Sequence, residues 1–196
     1  MRIIAGSLKN RRLKTSKGDV TRPTTEKVRG ALFNICQHRM EECDFLDLFA
    51  GSGAIGFEAL SRGARSVTFV ERDRQAVRLL QENAKELGVE GQVTILQGDV
   101  YQQLERLHQR GRHFGIVYAD PPYGSSAAHK EEGEEHLYRL VEWFDKHELL
   151  QPGGDLFIEQ LSKARQVPEA EHFCSFRDER RLGSVHLYAF EAIQGS

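Results

Sequence analysis

The sequence is poor in cysteine, proline and tryptophan and has no long hydrophobic run. Of 196 residues, three are cysteine, five proline and one tryptophan. Cys36, Cys43 and Cys174 are odd in number and lack CxxC spacing. That excludes a disulfide framework and points to a reducing, cytoplasmic compartment. No apolar stretch approaches the roughly 18 residues that suggest a membrane span. The opening MRIIAGSLKNRR does not have the pattern of a signal peptide. Eight histidines are scattered, with neither HExxH nor clustered Cys/His spacing, so no metal is expected. No internal repeat is present. Hydrophobic residues at 39% and charged residues at 29% exclude collagen, coiled coil and general disorder. The remaining reading is a single ordinary domain, long enough to bury about 70% of the surface of its unfolded chain. Nothing suggests an obligate interface, and a monomer is expected.

Positive charge is unevenly placed. The net charge is −2, yet residues 1–29 hold nine Lys or Arg against Asp19 and Glu26. The other 167 residues hold 18 basic and 27 acidic side chains. A basic arm on an acidic body suggests a polyanion held at one end, since Lys and Arg gain affinity by releasing counterions from phosphates. A solvated, partly mobile terminus is the plainer alternative. The reading divides the chain into an arm, residues 1–23, and one globular domain, residues 24–196.

Patterning predicts strands alternating with helices. Strand-like runs occur at residues 45–49, 66–71, 93–96, 114–119 and 155–158. Helical periods lie at 24–39, 54–61, 74–87, 101–109 and 134–149. This order argues for a parallel sheet covered on both faces. Residues 174–181 and 185–192, joined by Leu182-Gly183-Ser184, read as a hairpin, so one edge strand should run antiparallel. The polar segment 124–135 (GSSAAHKEEGEE) reads as a loop, either a solvated connector or a mobile lid.

Two motifs carry chemistry. Gly51, Gly53 and Gly56 form GxGxxG directly after a strand and at a helix start. Such glycines allow a sharp turn and close approach of a ligand, and the pattern alone also fits NAD. Glu71 ends the next strand, where a carboxylate can accept hydrogen bonds from ribose hydroxyls. Asp47, four residues before Gly51, disfavours a pyrophosphate but suits an ammonium and a sulfonium. Asp99, after the following strand, could accept a hydrogen bond from an adenine amino group. This row of carboxylates favours S-adenosylmethionine over NAD. The second motif is Asp120-Pro121-Pro122-Tyr123 at the end of the fourth strand. A base's exocyclic amine has its lone pair delocalised into the ring and attacks a methyl sulfonium only after gaining sp³ character. The Asp120 carboxylate and the Pro121 carbonyl can accept its two N–H bonds. The prolines restrict the backbone and so aim that carbonyl. Tyr123 offers a face on which an extruded base can stack.

These residues resemble the signature elements of class I S-adenosylmethionine-dependent methyltransferases, and the Asp-Pro-Pro-Tyr motif resembles those that methylate exocyclic amines. Arg2-Ile3-Ile4-Ala5-Gly6, Thr21-Arg22-Pro23-Thr24, Lys27-Val28-Arg29 and Ala31-Leu32-Phe33-Asn34 narrow this further. Together they resemble the bacterial 16S rRNA (guanine-966-N2)-methyltransferase family over nearly the whole chain. The resemblance implies an α/β, Rossmann-like fold: a seven-stranded, mostly parallel sheet with one antiparallel strand from the C-terminal hairpin and helices on both faces. It implies methylation of a guanine N2 amine in 16S rRNA, within an assembled or partly assembled 30S subunit carrying ribosomal proteins, with S-adenosylhomocysteine as product. It carries Asp47, Phe49, Ala50, Gly51, Ser52, Gly53, Glu71, Arg72, Asp99 and Val100 to the cofactor and Asp120, Pro121, Pro122 and Tyr123 to the target amine. Arg2, Arg11, Arg12, Lys14, Arg22, Thr24, Lys27 and Arg29 become candidate RNA contacts. Gly30 stands where the family usually has an acidic residue. The alternatives are a DNA adenine-N6 or cytosine-N4 amino-methyltransferase and a non-catalytic RNA-binding factor.

Overall fold

The computed structural model describes residues 1–15, 26–122, 127–161 and 163–193, without the side chains of 127–133. The chain divides into two compact units, residues 1–106 and 107–196. The sheet has seven strands of mixed direction, the first unit contributing, in spatial order, residues 93–97, 66–71 and 44–48 and the second residues 114–119, 150–160, 185–192 and 174–182.

The first unit holds α1 (Glu26–Ile35), β1 (Asp44–Leu48), α2 (Ala54–Ser61), β2 (Ser66–Glu71), α3 (Arg74–Leu87), β3 (Val93–Gln97) and most of α4 (Val100–Gln109). β1 pairs parallel with β2, and β2 with β3. Phe45, Leu46, Leu48, Val67, Phe69 and Val70 are wholly inaccessible. Burial of successive residues, not of every second one, is what a parallel sheet covered on both faces requires. The helices are set locally. The Asp73 carboxylate caps α3 by accepting from the Gln75 and Ala76 N–H groups, and Gly88, left-handed at φ 74°, ends it. The expected first helix, 24–39, is shorter: α1 stops at Ile35 and a 3₁₀ turn covers Gln37–Arg39. Its expected first two residues lie outside the described residues.

The first 15 residues pack within this unit. Ile3 and Leu13 are buried, and Arg2 bridges Arg12 in antiparallel fashion. The Ile4 and Ala5 N–H groups donate to the buried Glu58 carboxylate at 2.7 and 3.0 Å. Gly6 sits at φ 85°, where an added Cβ would stand 1.7 Å from the Ser61 carbonyl oxygen. Only glycine fits there, which gives the Arg2-Ile3-Ile4-Ala5-Gly6 motif a packing reason.

The second unit holds β4 (Phe114–Ala119), α5 (Ala127–Lys146), β5 (Leu150–Gln160), β6 (Cys174–Leu182) and β7 (Val185–Ala192). β4 and β5 are parallel, and β7 runs antiparallel to both β5 and β6. The antiparallel strand is thus one place in from the edge, and the edge is β6. Composition explains the order. β7 (VHLYAFEA) is mostly buried, including Tyr188 and Phe190, whereas β6 carries Arg177, Asp178, Glu179, Arg180 and Arg181. Charged side chains blunt a free sheet edge.

One expectation is overturned. The composition of the polar segment 124–135 predicts a loop, but α5 begins at Ala127. Ala, Lys and Glu are strong helix formers, yet a helix polar all round has no apolar period to reveal it. Residues 124–126 lie outside the described residues.

Candidate functional site

The candidate cofactor residues of the first unit lie at or just after the C-terminal ends of its parallel strands, the edge at which open α/β sheets take ligands. After β1 the chain makes a tight turn with Phe49 at φ 59°, Gly51 at φ 53° and Gly53 at φ 79°. A phenylalanine in the left-handed region is uncommon and marks a backbone held by its surroundings. The Ala50 N–H donates to the Val70 carbonyl and the Gly53 N–H to the Ala50 carbonyl, at 3.1 and 2.8 Å.

The three glycines meet three different constraints. A Cβ on Gly53 would lie 2.5 Å from a Leu80 methyl, and one on Gly56 would lie 2.3 Å from the Phe69 ring. Both keep α2 close to its neighbours. A Cβ on Gly51 would meet nothing within 4 Å, so open space lies beside the turn there.

The carboxylates orient the turn. Glu71 Oε2 accepts from the Gly51 N–H at 2.8 Å, and its Oε1 accepts from the Asp73 N–H at 2.8 Å. Glu71 is half-buried, so its remaining lone pairs can face a ligand. Asp47 is only 2% exposed, and its Oδ2 accepts from the Gly56 N–H at 2.9 Å. α2 lacks a side-chain cap of its own at Gly53, so the strand supplies the negative group at its N-terminus. Asp99 is exposed and caps α4, with Oδ1 accepting from the Tyr101 and Gln102 N–H groups at 3.0 and 3.2 Å. Val100 beside it is buried, Arg72 is exposed, and Phe49 and Ala50 are half-buried.

Two residues outside the motifs hold this region. Asn83 lies on the buried face of α3 with Leu80, Ala84 and Leu87, at 1% exposure. Its Nδ2 donates to the Ser52 carbonyl at 3.2 Å and the Lys14 carbonyl at 3.0 Å, and its Oδ1 accepts from the Lys14 N–H at 2.8 Å. The glycine turn and the arm therefore share one amide. A signal for Asn83 exists in the sequence: an amide in an otherwise apolar helical stripe. Glu58, wholly buried, accepts from the Ile4 and Ala5 N–H groups and from Arg62 Nε.

The candidate RNA contacts separate into groups. Arg2, Arg11, Arg12, Lys14 and Lys27 are exposed. Lys14 Nζ lies 2.9 Å from Glu82 and 2.6 Å from Glu86, and these two carboxylates hold its ammonium above the usual lysine range. Arg29 is a correction. The resemblance places it on an RNA-facing surface, but it is 1% exposed, donating to the Arg2 carbonyl at 3.0 Å with Glu58 3.8 Å away. Burial pulls its pKa down. The helical stripe with Val28, Leu32 and Phe33 carries it inward. Arg22, Thr24 and Tyr123 lie outside the described residues.

In the second unit Asp120 follows β4 directly, half-buried, with Pro121 buried and Pro122 exposed. On β4 itself Tyr118 donates to the buried Glu159 at 2.5 Å, joining β4 to β5. Grooves of about 370 and 460 Å³ also lie in this unit, at His147–Phe173 and at Tyr138–Pro168, but neither is lined by a candidate residue. The Cys43 and Cys174 thiols are pushed up to about 12 by burial, so neither is a nucleophile at neutral pH. Among the described residues, no group of three or more His, Cys, Asp or Glu could hold a metal, and no helix is long and apolar enough to cross a membrane.

A family described as conserved hypothetical protein 95 matches residues 1–191. The chain is 35% identical to a Bacillus subtilis protein named as a candidate rRNA methyltransferase, YlbH, over 86% of each chain. It is 32% identical to the ribosomal RNA small subunit methyltransferase D of Haemophilus influenzae, over 86% of this chain and 83% of that one. A solved Escherichia coli structure titled as a candidate methyltransferase, yhhF, superposes with a TM-score of 0.81 at 28% identity, covering 100% of this chain and 99% of that chain.

Proposed function

The chain belongs to the conserved hypothetical protein 95 family, and from that premise we propose that it is an S-adenosylmethionine-dependent rRNA methyltransferase that methylates the N2 amine of a guanine in 16S rRNA. The observation that carries this reading is Asp120-Pro121-Pro122 set directly after β4 in a chain whose relatives over most of its length are named rRNA methyltransferases. Those names supply the small-subunit rRNA. The guanine, numbered 966, its N2 amine and the 30S context rest on the sequence resemblance. Work on ribosomal RNA implies the cytoplasm.

The first unit fits the cofactor. The open space at Gly51 is a cradle that a Cβ would fill, and Glu71, already oriented by two backbone N–H groups, can accept from ribose hydroxyls. Asp99 and Val100 would take the adenine, and the Asp47 carboxyl group would favour the ammonium end. When bound, the cofactor supplies a methyl group on an electron-poor sulfonium.

The chain's own task is then to make an aromatic amine nucleophilic. The Asp120 carboxylate and the Pro121 carbonyl accept the two N–H bonds of the extruded guanine, which localises the nitrogen lone pair. Tyr123 stacks on the base. The methylated nitrogen sheds its extra proton readily, so positioning and electrostatics suffice without a strong base. Arg2, Arg11, Arg12, Lys14, Arg22, Thr24 and Lys27 would meet the RNA, with recognition by shape, unpaired bases and phosphates.

The test is labelled methyl transfer to four substrates: 30S particles from a strain lacking the enzyme, naked 16S rRNA, duplex DNA and a protein extract. N2-methylguanosine from 30S particles or rRNA is expected. Label in DNA or protein overturns the substrate, and no label anywhere overturns the reaction. Asp120→Ala should reduce transfer to below a tenth of the wild-type rate while S-adenosylmethionine affinity, read by calorimetry, stays within a few-fold. A variant keeping more than a tenth of the rate would remove Asp120 from its assigned role.

A further inference from the structure

α3 presents two differently charged edges to solvent. At 100° per residue, Arg74, Arg78 and Lys85 fall within about 40° of one another, and Glu82 and Glu86 lie on the adjoining edge. All five are exposed. The acids are occupied: Lys14 of the N-terminal segment reaches both, and Arg11 Nη2 donates to the Glu86 carbonyl. Arg78 and Glu82 are spaced i,i+4, where helical ion pairs form. Glu82 instead faces Lys14, and Arg74, Arg78 and Lys85 have no acidic partner among the described residues. Docking of the arm thus occupies the acids that would otherwise neutralise this ridge.

We propose that Arg74, Arg78 and Lys85 form a second RNA-binding surface, which takes backbone phosphates of the substrate RNA apart from the reacting nucleotide. The ridge starts three residues beyond Glu71 and runs about 16 Å along the helix, long enough to follow several nucleotides of backbone. Three unpaired cations on a rigid helix lose few contacts and little order when phosphates replace counterions. The proposal rests on the rRNA reading above, and its test reads binding separately from catalysis.

The variant is Arg74→Gln/Arg78→Gln/Lys85→Gln, which keeps helix propensity and long polar side chains. The control is Arg139→Gln/Lys146→Gln/Arg180→Gln, which removes the same charge from bases that face carboxylates at Glu135, Glu142 and Asp178. Filter binding to 16S rRNA is measured across a salt series without methyl donor, with calorimetry for S-adenosylmethionine alongside. The ridge variant should bind RNA at least tenfold more weakly at low salt, with a salt slope shallower by about one to three. Its cofactor affinity and melting temperature should match wild type, and the control should bind RNA within twofold of wild type. Equal RNA binding by the ridge variant and wild type overturns the proposal, as does an equal loss in the control. If the ridge governs RNA binding but no substrate is methylated, the catalytic reading fails and the surface stands.

Discussion

The glycine turn separates two kinds of necessity at single residues. Gly56 lies where a Cβ would stand 2.3 Å from Cε1 of the Phe69 ring, and that ring is wholly buried. Gly51 has open space but a φ of 53°. Gly56→Ala should therefore act on stability, costing about 1–3 kcal/mol through overpacking. Thermal denaturation should show a melting temperature lower by roughly 3–10 °C. Gly51→Ala should cost about 1 kcal/mol for the left-handed backbone but raise the S-adenosylmethionine dissociation constant at least tenfold. A Gly51→Ala variant with normal affinity would show that the space beside the turn is not the cofactor's. The GxGxxG pattern is legible at once as a motif, although Gly53 and Gly56 answer contacts with Leu80 and Phe69, 27 and 13 residues further along the chain. Arg29 is not. Its position in Lys27-Val28-Arg29 suggests a cationic surface, and only its place on the buried stripe of α1, above Glu58, shows a side chain turned inward. A charge is read from sequence, but whether it is paired in the interior depends on a partner 29 residues away.

At the level of elements, boundaries follow wherever the chain carries a periodic pattern or a cap. α2, β2, α3 and β4 fall on the expected residues, and α3 has both of its ends written in sequence as Asp73 and Gly88. The periodic signal of α5 starts later than the helix itself because its first turns contain no apolar period. The connection from β5 to β6 is illegible for another reason: one carboxylate, Asp145 on α5, organises its end from afar. Asp145 accepts from the backbone N–H groups of Glu171, His172, Phe173 and Cys174 and from His172 Nδ1. Burial works to raise its pKa, but the hydrogen bonds from the His172 side chain and from the His172, Glu171 and Cys174 N–H groups prevail and bring it to about 2. A depressed carboxylate contributes stability that is present above its unfolded pKa and lost as pH falls through the folded one. Wild type should therefore lose stability between about pH 4 and pH 2 through this group. Asp145→Asn keeps an acceptor oxygen but removes the charge. It should be less stable by about 2 kcal/mol at pH 7, with the gap closing toward pH 2. Urea unfolding of both proteins at several pH values measures this directly, and a gap independent of pH would assign the cap a purely geometric role.

Across the whole molecule, the uneven charge is legible but its disposition is not. Net positive charge in residues 1–29 leaves open whether the arm is loose or folded. The answer lies in buried apolar anchors at Ile3 and Leu13, in Asn83 gripping the Lys14 backbone, and in Glu58 gripping Ile4 and Ala5. These partners are 53 to 69 residues distant in sequence, beyond any local pattern. The cations of residues 1–15 differ in their surroundings. Lys14 meets Glu82 and Glu86, whereas Lys9 and Arg12 are exposed and have no acidic partner among the described residues. Lys9→Glu/Arg12→Glu should therefore weaken 16S rRNA binding severalfold and flatten its salt dependence, while the melting temperature stays within about 2 °C of wild type. Lys14→Glu would set three carboxylates together. It should lower the melting temperature as well as RNA affinity, because the docked arm would then be repelled from α3. Thermal denaturation beside filter binding separates the two variants. Should Lys14→Glu melt as wild type does, the arm would be held by its backbone and apolar anchors alone; should Lys9→Glu/Arg12→Glu bind RNA normally, the arm's exposed charge would be no part of the RNA surface.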